Sequence, residues 1–234
     1  MSTERELKFV ADRETLRIAL TIPLPGKMTH GPVSQAIKTT YFDTEALDLM
    51  RHGVTLRVRQ SGGGCTLGVK RHMHAPAGYF QREEDEAPLP STELNLDVLS
   101  RKRSLQLKKI AGKKALVPRF GSDVCRTVKT QSFYGSDIEV ALDEGFVFAG
   151  HKREPTHEIE LELKAGPLVE LFEFGLALAD MLPLTPAVFS KAEHAAKLLS
   201  PTPFEPVGSA LPNLARDNSA GEAIGMLRAM QKNR

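Results

Sequence analysis

The chain has no tryptophan, only three tyrosines, only two cysteines, and a formal net charge of +2 across 234 residues. Each shortage excludes something. Few aromatics leave few platforms for base stacking, and near-neutrality removes the broad basic field that bulk nucleic-acid binding needs. Cys65 and Cys125 have neither metal-finger spacing nor the density of a disulfide-stapled secreted fold, so both are expected to be reduced. No apolar run approaches the roughly eighteen residues of a membrane-spanning helix. Glu4, Arg5, Glu6 and Lys8 stand where a secretory signal would be apolar. The expectation is a cytoplasmic protein with neither a nucleic-acid nor a membrane partner; the composition says nothing of oligomeric state.

What the sequence has instead is alternation. Apolar and polar residues exchange with a period of two, the mark of half-buried strands, over nine stretches: Glu4–Val10, Thr39–Asp43, Thr55–Gln60, Cys65–His72, Tyr79–Asp85, Lys114–Gly121, Asp123–Tyr134, Ser136–Glu144 and Thr156–Lys164. That is about enough for an eight-stranded antiparallel sheet that closes on itself. Helical patterns fall between the strands. They cover Asp12–Leu20, Glu45–His52 before Gly53, Leu94–Ile110 before Gly112, the apolar Pro167–Met181, and Lys191–Leu199 behind a capping box of Ser190 and Glu193. Asp143, Glu144 and Gly145 read as a turn. The fold class is therefore α+β and β-dominated, a closed eight-stranded antiparallel barrel decorated by helices. The proline- and glycine-rich segment 201–212 reads as a linker, which places one domain at 1–200 and leaves 201–234 as linker plus the opening of a helical module, with a short helical pattern at 219–230.

The charges are sorted by strand. Glu4, Glu6 and Lys8 share one strand face, and Glu158, Glu160 and Glu162 share another, with Lys164 next in line. Asp137, Glu139 and Asp143 repeat the arrangement one strand earlier. Rows of like charge are unfavourable unless compensated, and a wall of carboxylates suits a hard cation such as Mg²⁺ or Mn²⁺. Bases gather elsewhere: Arg57 and Arg59 on one face, then Lys70, Arg82, Arg119 and Arg126. Solubility patterning would intersperse the signs. An acidic wall opposite a basic one fits a polyphosphate bound with its metal, because guanidinium forks take phosphate oxygens and carboxylates take the ion.

Weaker features carry less. Gly62, Gly63 and Gly64 lack Walker spacing and read as a hairpin turn. His72 and His74 have no third ligand, no nucleophile elbow accompanies the serines, and the basic face of Arg101, Lys102, Arg103, Lys108 and Lys109 reads as solvated surface.

Glu4-Arg5-Glu6-Leu7-Lys8 resembles the ExExK signature of the CYTH family, the triphosphate tunnel metalloenzymes. The order of the later motifs extends the resemblance over residues 1–200: Tyr41-Phe42-Asp43-Thr44, Leu56-Arg57-Val58-Arg59, Lys70, Arg82 and Glu84, Arg126, Glu139 to Asp143, Glu158 to Lys164, and Ser190-Lys191-Ala192-Glu193. One departure is Thr66-Leu67-Gly68-Val69-Lys70, since family members often place the lysine directly after Thr-Leu. The resemblance implies a barrel whose polar lumen holds a triphosphate and one or two ions, Mg²⁺ or Mn²⁺. By position, Glu4, Glu6, Asp143, Glu158, Glu160 and Glu162 would hold metal, and Lys8, Arg57, Arg59, Lys70, Arg82, Arg126 and Lys191 would grip phosphates, with Glu139 and Arg119 as outlying members. Glu4, Glu6, Lys8, Arg57, Arg59 and Glu160 would be the catalytic set. The implied activity is hydrolysis of inorganic triphosphate to phosphate and diphosphate. Class IV adenylate cyclases and thiamine triphosphatases share the barrel and stand as alternatives, as does a non-catalytic polyphosphate or nucleotide binder. No adenine pocket is legible, and the lack of tryptophan disfavours a thiamine sandwich. The segment 201–234 resembles the start of a CHAD module, of which only the opening would be present.

Overall fold

The computed structural model describes residues 2–73 and 78–199. His74, the segment 201–212 and the helical pattern at 219–230 lie outside the described residues. In chain order the elements are β1 (Ser2–Val10), α1 (Arg13–Thr21), β2 (Lys27–Asp43), α2 (Asp48–Arg51), β3 (Val54–Ser61), β4 (Gly64–His72), β5 (Tyr79–Leu89), α3 (Arg101–Ala111), β6 (Val117–Phe133), β7 (Ser136–Ala149), β8 (Lys152–Ala165), α4 (Leu168–Met181), β9 (Thr185–Pro186) and α5 (Lys191–Lys197). The strands lie antiparallel in the order β5-β4-β3-β2-β6-β7-β8-β1, and β1 pairs back onto β5 with Glu4 opposite Arg82. The sheet thus closes into the expected eight-stranded barrel, with the two-residue β9 attached to β1.

The barrel is apolar outside and charged inside. Leu7, Phe9, Val140, Leu142, Ile159 and Leu161 point outward under α1 and α4, meeting Leu16, Leu171, Phe172, Phe174 and Leu178. On the opposite side Leu56, Val58, Leu67 and Val69 pack with Leu49 of α2 and Leu107 of α3. Each such side chain taken from water contributes about 1.5–3 kcal/mol, so the helices that cover the wall also stabilise it. The last helix differs. Ala192, Ala195 and Ala196 of α5, with Leu198 just after it, pack on Tyr41, Phe120, Val147 and Ala149, residues from three strands at the lumen-facing positions, so α5 plugs one end of the barrel.

Several boundaries differ from the sequence pattern, each for a physical reason. Lys114–Gly121 and Asp123–Tyr134 are one strand, β6, which reduces nine stretches to eight. Gly121 marks close approach rather than a break: an added Cβ would lie 2.5 Å from the Phe148 ring and 2.6 Å from the Thr39 carbonyl oxygen. Strand β2 begins at Lys27, because residues 27–36 are exposed and carry no burial alternation to read. Strand β5 continues past Asp85 to Leu89. The helix expected from Leu94 starts at Arg101 behind Ser100, whose Oγ accepts from the Arg103 backbone N–H. The helix expected over Glu45–His52 shrinks to Asp48–Arg51, anchored by Asp43, which accepts from the backbone N–H groups of Thr44, Leu49 and Met50. Gly62 and Gly63, both at positive φ, form the expected tight turn between β3 and β4.

The turn expected at Asp143-Glu144-Gly145 is absent; β7 runs through it, and the turn is at Gly150 and His151. Gly145 is required by proximity instead, since its Cβ would fall 2.2 Å from the Asp123 carbonyl oxygen and 2.6 Å from the Val124 Cα of β6. Neither atom can move without disturbing the ladder. Gly145→Ala should therefore lower stability by roughly 1–3 kcal/mol, the range of core overpacking, seen as an earlier urea midpoint. An unchanged midpoint would refute the close approach.

Candidate active site

Alternation along seven of the eight barrel strands, all but β2, aims charged side chains into the lumen, where they line a cavity of about 220 Å³. That is below the roughly 300–1,000 Å³ typical of drug-sized ligands, so the space suits a compact, highly charged group. Glu4, Glu6 and Lys8 enter from β1, Arg57 and Arg59 from β3, Lys70 from β4, Arg82, Glu84 and Glu86 from β5, Arg126 from β6, Glu139 from β7, and Glu160, Glu162 and Lys164 from β8. Lys191 enters from the plug helix, whose first turn is fixed by the capping box: the Ser190 Oγ accepts from the Glu193 backbone N–H, and the Glu193 carboxylate accepts from the Ser190 N–H at 2.8 Å.

One half of the lumen is a web around Arg82. Its Nε donates to Glu4 Oε2 at 3.1 Å and its Nη2 to Glu6, while Lys70 Nζ donates to Glu4 Oε1 at 2.5 Å. Arg57 Nη2 donates to Glu84 and Glu86, each at 2.9 Å. Burial alone would raise the Glu4 carboxyl, but Arg82 and Lys70 hold it far below the ordinary carboxylate range. Burial prevails at Glu6, whose carboxyl is raised despite Arg82, with the neighbouring Glu4 adding to the effect. The departure at Gly68 is explained here. Its missing side chain leaves room for Arg57 Nε, 3.0 Å from where a Cβ would stand, and for Glu86 Oε1 at 3.2 Å. Lys70, two positions on, supplies the lumen ammonium.

The other half holds Asp143, Glu158 and Glu160, buried and with one oxygen each within 4.8 Å of the others. The register of β7 and β8 makes this group, placing Asp143 opposite Glu158 and Ala141 opposite Glu160. Three cations compensate it. Lys191 Nζ lies 2.6 Å from Asp143, 2.5 Å from Glu158 and 2.8 Å from Glu160. Lys8 Nζ is 2.6 Å from Glu160, and Arg126 takes Asp143 through two donors at 2.7 and 2.6 Å and also reaches Glu160. Burial opposes ionisation of Glu160, yet Lys191, Lys8 and Arg126 pull its carboxyl well below the usual range. Three hard oxygen donors at this separation fit a divalent cation.

Of the six carboxylates expected at metal, the structure brings Asp143, Glu158 and Glu160 together. Glu4 and Glu6 lie in the Arg82 web, and Glu162 is bonded to Lys164 at 2.8 Å. Glu139, opposite Glu162, lines the cavity; Arg119 does not and instead donates to the Glu45 carbonyl oxygen. The expected basic wall is interrupted, since β5 alternates Arg82 with Glu84 and Glu86. Arg59 stands apart. Among the described residues its side chain makes no hydrogen bond or ion pair, its buried Nε is unsatisfied, and burial with the neighbouring Arg57 and Arg126 draws its guanidinium down to about 10. Sequence reasoning missed Glu86, Tyr41 and Thr55 as lining residues. The period-two series Arg82, Glu84, Glu86 was the signal for the first and Thr55, Arg57, Arg59 for the last, while Tyr41 stands in a motif of the resemblance that carried no role.

The chain matches the CYTH domain over residues 2–207. It is 32% identical over 158 residues to an inorganic triphosphatase of Haemophilus influenzae, a match covering 68% of this chain and 43% of that protein, so the chain spans less than half the length of that relative. A solved structure of a putative adenylyl cyclase from Hippeastrum, described as having a dominant triphosphatase activity, superposes with a TM-score of 0.54 at 18% identity, covering 89% of this chain and 98% of the other. A closed barrel with an ExExK strand, a charged lumen and a match across nearly all the described residues place this chain in the CYTH domain family.

Proposed function

We propose that the lumen hydrolyses inorganic triphosphate to phosphate and diphosphate with Mg²⁺ or Mn²⁺. The observation that carries this reading is a buried three-carboxylate group that meets the cavity of about 220 Å³ through Glu160, beside a set of buried guanidinium and ammonium groups that line the same cavity. Likeness to the Haemophilus influenzae inorganic triphosphatase supports it.

Asp143, Glu158 and Glu160 would hold the ion, with Glu4, Glu6 and Glu162 as further carboxylates along the same lumen. Such an ion, when bound, supplies neutralisation of phosphate oxygens and a lowered pKa for water. Arg59, with no carboxylate partner to give up among the described residues, would meet the anion first. Arg57, Lys70, Arg82, Lys8, Arg126 and Lys191 would exchange carboxylate partners for phosphate oxygens, holding the chain of phosphorus atoms along the lumen and stabilising charge on the equatorial and leaving oxygens. Burial strengthens these contacts by excluding water. The barrel is preformed, so little ordering accompanies binding.

The test is phosphate release from inorganic triphosphate, ATP and thiamine triphosphate, each with Mg²⁺, with Mn²⁺ and with chelator. Metal-dependent release from triphosphate well above the other two is expected, and chelator should abolish it. Preference for ATP with cyclic product would move the assignment to a cyclase, and preference for thiamine triphosphate to a thiamine triphosphatase. Triphosphate binding with no release would leave a binding module. Among the described residues no helix is long and apolar enough to cross a membrane.

A further inference from the structure

The Lys191 ammonium lies within 2.5–2.8 Å of one oxygen from each of the three carboxylates that form the candidate cation site. A divalent cation and this ammonium would compete for the same oxygens. We infer that Lys191 is a tethered occupant of the cation site, that metal binding expels it, and that the freed ammonium becomes part of the phosphate grip.

Charge and anchoring both support the exchange. With Lys8 and Arg126, Lys191 balances Asp143, Glu158 and Glu160 one for one, so an added divalent ion leaves an excess of positive charge unless a resident cation departs. Arg126 is fixed by two bonds to Asp143 from the adjacent strand, and Lys8 projects from β1 inside the barrel wall. Lys191 belongs to the wall through nothing but its side chain. It is the first residue of α5, a seven-residue helix that plugs the end of the barrel, and its long stem can swing without breaking a strand ladder. Once expelled it remains in a lumen whose carboxylates already have cationic partners and where Arg59 has no partner among the described residues. An ammonium there would be repelled unless an anion is present. Metal alone must therefore displace Lys191 into an unfavourable position, whereas metal with triphosphate gives it a partner, and the two ligands favour each other's binding. Linkage makes this coupling reciprocal.

The inference rests on the proposed function only for the identity of the anion, and its test needs no turnover. Mn²⁺ binding to the 234-residue chain is titrated by calorimetry or electron paramagnetic resonance at fixed ionic strength, for the native sequence and for Lys191→Met, which keeps length and loses charge. Removing the competitor should tighten Mn²⁺ binding about tenfold, equivalent to about 1.4 kcal/mol. The further tightening of Mn²⁺ caused by an imido analogue of triphosphate should shrink by a similar factor, because the coupled cation is gone. Unchanged or weaker Mn²⁺ binding in a folded Lys191→Met protein would overturn the exchange. Where that variant does not fold, hydrogen exchange in the native chain decides: the amides of residues 191–197 should exchange faster with Mn²⁺ alone and slower with Mn²⁺ plus the analogue, and no change with Mn²⁺ would equally overturn it. A chain that tightens Mn²⁺ as expected yet releases no phosphate keeps the inference and loses the triphosphatase reading; one that releases phosphate without the affinity change does the reverse.

Discussion

Glu160→Gln should lower metal-dependent phosphate release from triphosphate by on the order of 10²–10³-fold, the scale on which removing one preorganised electrostatic group acts, while the barrel still melts in a single cooperative transition. Glutamine keeps the volume and one acceptor oxygen but removes the charge. Among the described lumen carboxylates Glu160 pairs with the most cations: Lys8 at 2.6 Å, Lys191 at 2.8 Å and Arg126 all pair with it, and it supplies one oxygen of the three-carboxylate group. Without its charge the cation site has two carboxylates facing three resident cations, so affinity for a divalent ion falls and the surplus positive charge binds phosphate more tightly without turning it over. The kinetic signature is a fall in kcat with triphosphate affinity unchanged or increased, with single-turnover phosphate release as the measurement. Full turnover in this variant would remove Glu160 from the site. A loss of cooperative melting would instead show that the charge is needed for folding, and Glu158→Gln, next to it in the cluster, would then carry the kinetic test.

How much of this was written in the sequence depends on which residue is asked about. Glu4, Glu6 and Lys8, and Glu158, Glu160 and Glu162, were legible because a strand repeats every two residues, so a row of carboxylates declares both a face and its cost. The barrel came from counting such rows. Asp143 was legible by parity, although the turn expected across it was wrong: Gly145 reads as a turn residue by type, and only the neighbouring strand 2.2 Å from its missing Cβ explains it. Lys191 came from resemblance alone, since a short helix carries no sign that it will plug a barrel. The two opposed walls were half right. Carboxylates do dominate β7, β8 and β1 and bases β3 and β4, but a desolvated lumen must be neutralised locally, and β5 does this by alternating Arg82 with Glu84 and Glu86. That arrangement depends on the closing register of β1 on β5, which sets Glu4 opposite Arg82. No local pattern encodes which strands meet when a sheet closes.

Arg82→Met tests that closure, and should cost roughly 3–5 kcal/mol of stability at neutral pH, the range for removing one partner of a buried charged group. The guanidinium holds Glu4 at 3.1 Å and Glu6 through a second nitrogen, so its loss leaves two neighbouring carboxylates with only Lys70 and a distant Lys8, 3.7 Å from Glu6. The pH dependence separates charge from packing. In the native chain Glu4 titrates far below its unfolded value, so its contribution is present above about pH 4.5 and is lost as pH falls below that. Glu6 is raised, so it stabilises most when protonated and progressively less as pH rises. Removing Arg82 shifts both carboxyls upward, so over the interval from neutrality down towards the ordinary carboxylate range the folded variant takes up more protons than the native chain does. The stability gap between native and variant should therefore narrow over that interval, measured as the difference in urea midpoints at the two ends. A gap of constant size would assign the loss to packing against the Phe80 ring, whose centroid lies 5.0 Å from the guanidinium carbon, rather than to the two carboxylates. Arg82→Lys sharpens the comparison, because it restores the charge without the fork: it should recover the pH behaviour more fully than the stability, since one ammonium can neutralise both glutamates but cannot hold both in the geometry that joins β5 to β1.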